Sequence, residues 1–175
     1  MTADVVRVAP GFADEFPGAS PSSAEVGANL VRASAAYLAL LDRRRRPIEP
    51  LSQSAFQVLA ILDGAGRPLP SHAISERLIV STASTSSLLD TLEGRGLVIR
   101  EPHPTDRRKT LVRITPAGTD VVDRMLPVTH QAATEAFAVL EETERETLIS
   151  LLGKAMSRMR ELPGTPAEQA PQRRR

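Results

Sequence analysis

The spacing of apolar residues along this 175-residue chain is helical except in one stretch, and that interruption limits the folds that the chain can adopt. Before residue 97 and again after residue 121, apolar residues recur every three or four positions, which predicts amphipathic helices. Between these stretches, two short β-prone runs, at residues 97–100 and 111–114, flank the polar segment EPHPTDRRKT. Such runs predict two antiparallel strands joined by a long tip. We therefore expect a mainly α-helical protein with one small β-hairpin.

Start and stop signals divide the first stretch into separate helices. Four arginines, Arg43 to Arg46, and then Pro47 end the first helix, since basic side chains and proline are typical of helix C-termini. Ser52 and Ser71 begin two further helices. Ser81 is expected to cap a fourth, because serine oxygens accept hydrogen bonds from the unpaired amides at helix starts. A compact turn that ends at Ser81 separates the third and fourth helices. This order of helix, turn and helix predicts a helix-turn-helix.

Two more helices follow the predicted hairpin. Thr115 as N-cap and Pro116 as the first helical residue begin a long helix, in which Pro127 is expected to cause a kink because it lacks an amide donor. Residues 143–146, Thr-Glu-Arg-Glu, form a capping box that opens the last helix. Both helices, like the first one, have extensive apolar faces, so we expect them to be buried against another element or a second copy of the chain.

The composition excludes several classes of protein. The absence of cysteine removes disulfides, thiolate metal sites and sensing by thiol oxidation. The net charge of +1 is not that of a polycation that coats nucleic acid, so a DNA-binding surface must be a local patch. The sequence has no apolar run of about 18 residues and no secretory signal. We therefore expect a cytoplasmic protein with a flexible arm at residues 1–21 and a disordered basic tail at residues 163–175.

Positive charge is concentrated at the tip of the predicted hairpin. His103, Arg107, Arg108 and Lys109 lie in this tip, and a thin basic projection fits the minor groove of DNA, whose negative potential attracts arginine. Asp106 can orient the Arg108 guanidinium through an ion pair. The alternative is that the tip is a solvated polar loop.

Three strings in the chain resemble one known family. The segment LVIREPHPTDRRKTLVRITPAG, residues 97–118, resembles the wing of the MarR family of winged helix-turn-helix transcription regulators. Asp106 and Arg108 occupy its Asp-x-Arg positions, and residues 114–118 its Thr-containing exit. The strings ISERLIVSTASTSSLLDTLEGRGLV and ETERETLISLLGKAMSRM resemble the helix-turn-helix and the closing helix of the same family. The resemblance spans residues 24–162.

This resemblance implies both a fold and a function. The expected fold is mainly α with a small β-wing: a winged helix-turn-helix DNA-binding domain at residues 51–116, flanked by dimerisation helices at residues 22–50 and 117–162. The implied function is that of a bacterial homodimer that binds a pseudo-palindromic operator in double-stranded DNA. Repression is commoner in the family than activation, and a small aromatic or phenolic effector can release the DNA.

Candidate DNA-binding residues follow from their positions on the recognition helix and the wing. The start of the recognition helix carries hydroxyl side chains and no Arg or Lys, so we expect DNA shape and the wing arginine to contribute to specificity. Thr85 instead falls on the apolar stripe of this helix and is expected in the core. The predicted DNA-binding set is Ser71, Thr82, Ser84, Ser86, Ser87, Asp106, Arg107, Arg108 and Lys109.

The resemblance also implies an effector crevice, whose candidate lining residues are Tyr37, Phe56, Met125, His130 and Phe137. Each of these is more often a core residue than a ligand contact. The histidines have no second ligand at metal spacing, and no nucleophile with a paired base is apparent, so we expect no metal, no cofactor and no enzymatic activity. Two other functions remain open: a winged-helix protein-interaction module without specific DNA binding, and a non-specific architectural protein.

Overall fold

The computed structural model describes residues 5–78, 82–102 and 110–162. Along the chain the elements are α1 (Phe12–Glu15), α2 (Pro21–Arg45), α3 (Gln53–Ala65), β1 (Leu69–Pro70), α4 (Ser71–Leu78), α5 (Thr82–Gly94), β2 (Val98–Pro102), β3 (Thr110–Ile114), α6 (Pro116–Phe137) and α7 (Glu142–Glu161). The chain divides into two compact units. The terminal unit comprises Met1–Tyr37 and Ala136–Arg175, and the central unit comprises Leu38–Glu135.

The hydrophobic core lies in the central unit. Apolar side chains repeat every three or four residues along its helices, so each helix buries one face, and strands β2 and β3 each bury one side chain completely, Val98 and Val112. Side chains that are almost completely buried come from α3 through α6: Leu59, Leu62, Leu69, Ile74, Leu89, Leu92, Val98, Val112, Val122 and Met125. Burying one such side chain stabilises the fold by about 1.5–3 kcal/mol. Aliphatic residues, together with Phe56, thus fill the interior of a chain with only 3% aromatic residues.

The predicted hairpin is present, but it belongs to a three-stranded sheet. Strands β2 and β3 pair antiparallel, with Val98 opposite Ile114 and Pro102 opposite Thr110. Strand β1 pairs with the other edge of β3, giving the order β1-β3-β2. The prediction of only two strands is therefore wrong. A strand of two residues, Leu69–Pro70, is too short to show the alternation by which strands are predicted.

Predicted helix starts are confirmed for α3, α4 and α6. The Ser52 hydroxyl accepts a hydrogen bond from the Ala55 amide at 3.2 Å, and Gly66 follows α3 with a φ of 60°. Helix α4 begins at Ser71 as predicted. The proposed cap of α5, Ser81, lies outside the described residues. Helix α6 continues through Pro127.

The capping box of α7 lies two residues earlier than predicted. Its N-cap is Glu141, whose backbone amide donates to the Glu144 carboxylate at 2.9 Å. Thr143, the predicted cap, is instead inside the first turn, and its carbonyl accepts a hydrogen bond from the Thr147 hydroxyl at 2.7 Å. The prediction failed because two glutamates spaced three residues apart can make the same reciprocal bonds as Thr and Glu.

The N-terminal arm is more ordered than the sequence predicts. Asn29 on α2 pairs with the backbone of Val6 in both directions, accepting from its amide at 2.8 Å and donating to its carbonyl at 2.9 Å. The Glu25 carboxylate accepts from the Val8 amide at 3.1 Å and pairs with Arg7 at 2.6 Å. The Arg7 hydrogen bond and then the Val8 amide lower the pKa of Glu25 below its ordinary value. A short helix, α1, follows, so residues 6–8 and 12–15 of the predicted arm are ordered, and the flexibility of the rest of the arm stays a prediction.

The terminal unit has no hydrophobic core of its own in its described residues, none of which has a fully buried apolar side chain. Instead, large apolar side chains of this unit are exposed on α2, on α7 and around the turn that joins α6 to α7: Val26, Leu30, Val31, Phe137, Val139, Leu148, Ile149, Leu151, Met156, Met159 and Leu162. No helix among the described residues is both long and apolar enough to cross a membrane.

Candidate nucleic-acid interface

Helix α5, the predicted recognition helix, has a buried and an exposed face. Thr85, Leu89 and Leu92 are fully buried and lie on one side of the helix. The prediction that Thr85 belongs to the core is confirmed. Outside this buried face, the described part of the helix exposes hydroxyl side chains that include Ser84, Ser86 and Ser87 near its start and Thr91 further along. The helix therefore offers a polar face of small side chains that can approach DNA closely.

Two further predicted DNA-binding residues lie at helix starts. Ser71 is the first residue of α4; it is half-buried, and its carbonyl accepts a hydrogen bond from the Ser75 hydroxyl at 3.1 Å. Thr82 begins α5, and its side chain lies outside the described residues. Helices α4 and α5 pack against each other and against α3, as in a helix-turn-helix.

The remaining candidates lie in the segment of the chain between β2 and β3. Because Pro102 lies opposite Thr110, residues 103–109 connect the two strands at the end away from Val98. Asp106, Arg107, Arg108 and Lys109 belong to this connection and lie outside the described residues. Their predicted contacts with DNA remain predictions.

Arg100 on β2 connects the wing to the recognition helix. Its Nη1 atom lies 2.7 Å from Asp90 Oδ1 and 2.8 Å from Glu93 Oε2, and its backbone amide donates to Glu93 Oε1 at 3.1 Å. Its Nη2 atom lies 3.4 Å from the carbonyl oxygen of Ser86. Sequence reasoning alone interprets two carboxylates three residues apart on a helix as a solvated pair. It missed this cluster because the partner lies across a turn on a different element.

The exit of the wing is fixed by close backbone contacts. The Thr115 hydroxyl donates to the carbonyl of Gly96 at 2.7 Å and accepts from the amide of Gly118 at 3.1 Å. The Thr115 amide donates to the carbonyl of Leu97 at 3.1 Å. These bonds join the end of β3 and the start of α6 to the turn before β2. They give a physical reason for the threonine and the glycine, three residues apart, in the exit segment 114–118.

A second ionic cluster holds the loop between α2 and α3. Glu49 pairs with Arg95, which follows α5, and lies 3.9 Å from Arg124 on α6. Arg95 also donates to the carbonyl of Pro50 at 3.1 Å, and Arg124 to that of Ile48 at 3.4 Å. The loop is therefore tied to the C-terminal end of the recognition helix.

The five candidate effector residues are divided between the two units. In the central unit, Phe56 and Met125 are buried core residues, the Arg45 guanidinium lies over the Phe56 ring at 4.9 Å, and His130 is exposed. In the terminal unit, the rings of Tyr37 and Phe137 are in contact, with centroids 5.5 Å apart. Phe56 and Met125 are therefore core residues, the alternative that the sequence favours over a ligand contact. The described residues contain no group of three or more side chains arranged to hold a metal ion.

A helix-turn-helix followed by a β-wing, with long helices on either side, defines a winged helix-turn-helix protein. A family model described as "MarR family" matches residues 50–109. The HTH-type transcriptional regulator MhqR of Bacillus subtilis is 31% identical over 121 residues, which cover 68% of this chain and 83% of the relative. A second regulator of that organism, YkoM, is 32% identical over 100 residues, which cover 57% of this chain and 64% of YkoM, less than two thirds of its length.

Solved structures agree with this assignment. The regulator BpsR of Bordetella bronchiseptica, described with regulation of its DNA binding by 6-hydroxynicotinic acid, is 29% identical; the match covers 75% of this chain and 98% of BpsR, with a TM-score of 0.68. Sco3205, a MarR family regulator from Streptomyces coelicolor solved with DNA, has the same fold: TM-score 0.75, 21% identity, 87% and 97% coverage. The chain belongs to the MarR family and is a DNA-binding transcriptional regulator.

Proposed function

We propose that this regulator is a repressor that binds a pseudo-palindromic operator as a homodimer. Helix α5 would enter the major groove, and the wing tip would enter the neighbouring minor groove. The observation that carries this proposal is the division of α5 into two faces. Thr85, Leu89 and Leu92 anchor the helix in the core, while Ser84, Ser86 and Ser87 are exposed on the other side. We infer that the exposed hydroxyl groups contact base edges or phosphates.

The wing supplies the positive charge that α5 lacks. Helix α5 contains no Arg or Lys, whereas residues 103–109 contain Arg107, Arg108 and Lys109. We propose that Arg108 enters the minor groove with Asp106 orienting its guanidinium, and that Arg107 and Lys109 contact phosphates. Specificity would then combine hydroxyl contacts in the major groove with the width of the minor groove.

The terminal unit supports the homodimer. It exposes large apolar side chains on α2 and α7 and has no fully buried apolar side chain among its described residues. An apolar surface of this extent is unstable in water unless it is covered. A second copy of the same unit has the same composition and can cover it through a twofold axis. Two recognition helices related by this axis would read two symmetric half-sites.

We further propose that a small aromatic or phenolic effector releases the DNA. The support is the description of BpsR, whose DNA binding is regulated by 6-hydroxynicotinic acid. In this chain Tyr37 and Phe137 form an aromatic pair that such a ring could contact.

We also propose that the protein has no catalytic activity of its own and acts in the bacterial cytoplasm, at the nucleoid, since its relatives are named as transcriptional regulators.

Binding to the DNA upstream of its own gene tests the repressor proposal. Fluorescence anisotropy with unrelated competitor DNA would compare wild type, Arg108→Ala and the control Arg67→Ala. Arg67 precedes β1, on the sheet edge opposite β2, so the control removes the same charge elsewhere. We expect specific binding by wild type, a loss of about 10- to 100-fold for Arg108→Ala, and little change for Arg67→Ala.

Two results would contradict the proposal. Equal affinity for upstream and unrelated DNA would indicate an architectural protein. Wild type that binds neither would indicate a protein-interaction module.

A further inference from the structure

We propose that Arg100 is a positioning residue for DNA reading: it holds the wing at a fixed angle to the recognition helix and neutralises the two carboxylates of that helix. This inference rests on the proposed binding of DNA by α5 and the wing. Arg100 lies on β2, the strand that leads to the wing tip, and contacts α5 at Ser86, Asp90 and Glu93.

The contacts of Arg100 extend along most of two turns of α5. Glu93 receives both the backbone amide and the guanidinium of Arg100, so that its carboxylate joins strand and helix through two separate bonds. Asp90 lies one turn earlier and pairs with the same guanidinium nitrogen. The Ser86 carbonyl extends the contact towards the start of the helix. Rotation of the wing away from α5 would break all of these contacts at once.

The charges of α5 make the contacts of Arg100 important for DNA binding. Asp90 and Glu93 are the ionisable side chains of a helix without Arg or Lys, and both would repel phosphates in a nearby groove. The Arg100 side chain is 26% exposed and that of Glu93 38%, so their attraction is screened less than in a fully exposed ion pair, whereas Asp90 is 64% exposed and its pair is screened more. An arginine also suits this place better than a lysine, because its planar guanidinium can bond two carboxylates and a carbonyl together.

A set of matched variants separates positioning from a direct phosphate contact. The variants are Arg100→Met, Asp90→Asn/Glu93→Gln, and the combination of all three changes, with Arg113→Met as the control. Arg113 is on β3 and pairs with Glu101 of the neighbouring strand, so its loss removes a wing charge without touching α5. Each protein would be measured below its melting temperature for affinity to operator and to unrelated DNA.

We expect Arg100→Met to weaken operator binding about tenfold in the wild-type background. In the Asp90→Asn/Glu93→Gln background the loss should be less than about threefold, because the carboxylate partners of Arg100 are already gone. Affinity for unrelated DNA should fall less than affinity for operator, which a general loss of stability would not produce. Arg100→Lys should restore part of the affinity, and Arg113→Met should leave the ratio of the two affinities unchanged.

The same loss in both backgrounds, together with a salt slope reduced by about 0.9, would overturn the inference and assign Arg100 a phosphate contact. An unchanged ratio of operator to unrelated affinity in Arg100→Met would also overturn it. If wild type bound no DNA specifically, the proposed function would fail, and this inference would fail with it.

Discussion

Gly118 lies in the first turn of α6, where the chain leaves the wing, and no other residue fits there without movement. A Cβ atom at this position would lie 2.3 Å from the carbonyl oxygen of Leu97 and 2.7 Å from Cγ1 of Ile114. The same Leu97 carbonyl accepts the Thr115 amide, so it cannot move away without losing that bond. The glycine therefore allows the start of α6 to pack directly on the turn before β2.

Replacing Gly118 with alanine should destabilise the protein by about 1–3 kcal/mol, the usual cost of forcing a methyl group into a packed site. Gly64→Ala is the matched control, because that glycine is also helical and its added Cβ would meet nothing within 4 Å. The control should gain about 0.5–1 kcal/mol from higher helix propensity. Urea unfolding followed by circular dichroism measures both. Equal shifts for the two variants would refute the packing argument.

The sequence alone predicts some of the structurally important single residues and misses others. The Thr115 cap and the buried Thr85 follow from capping chemistry and from the spacing of apolar residues. The Arg100 cluster does not, because a single sequence does not show which charges meet across two elements. The tight fit of Gly118 likewise depends on a backbone oxygen 21 positions earlier in the chain.

Among the elements, the N-terminal arm shows the largest difference between the sequence prediction and the observed structure. Its Pro and Gly residues indicate a flexible segment, yet residues 6–8 are bound to α2 through Asn29 and Glu25. These bonds use backbone groups of the arm, and hydrophobic periodicity carries no information about them. The helices with a clear period were predicted with ends close to the observed ones, whereas α1 and β1 were too short to be found.

Docking of the arm should depend on pH through Glu25. Its pKa is lowered in the docked state, chiefly by the hydrogen bond from Arg7. The carboxylate therefore stabilises docking above the ordinary carboxyl pKa, and this contribution is lost as the pH falls through the lowered value. The amide NMR signals of Val6 and Val8 should move towards positions typical of a free chain over that range.

Glu25→Gln should remove this pH dependence while Glu76→Gln, a change on α4 in the central unit, should not. The glutamine keeps the shape and one acceptor oxygen but has no charge to lose. If the Glu25→Gln protein showed the same acid transition as wild type, another group would control the arm.

At the scale of the whole molecule, the two units differ in what they bury. The central unit has a continuous aliphatic core and carries the helix-turn-helix and the wing. The terminal unit leaves apolar side chains of α2 and α7 exposed. The sequence predicted both features from periodic apolar faces, since the period of a face does not depend on what finally covers it.

In the proposed homodimer, α5 and the wing of each copy read DNA as a symmetric pair. The most direct test is to let the full-length protein select bound fragments from genomic DNA and to sequence them. We expect a shared pseudo-palindromic motif whose half-sites have centres about 10 base pairs apart, or a multiple of this spacing. Fragments without a shared motif, or a motif with a single unpaired half-site, would contradict it.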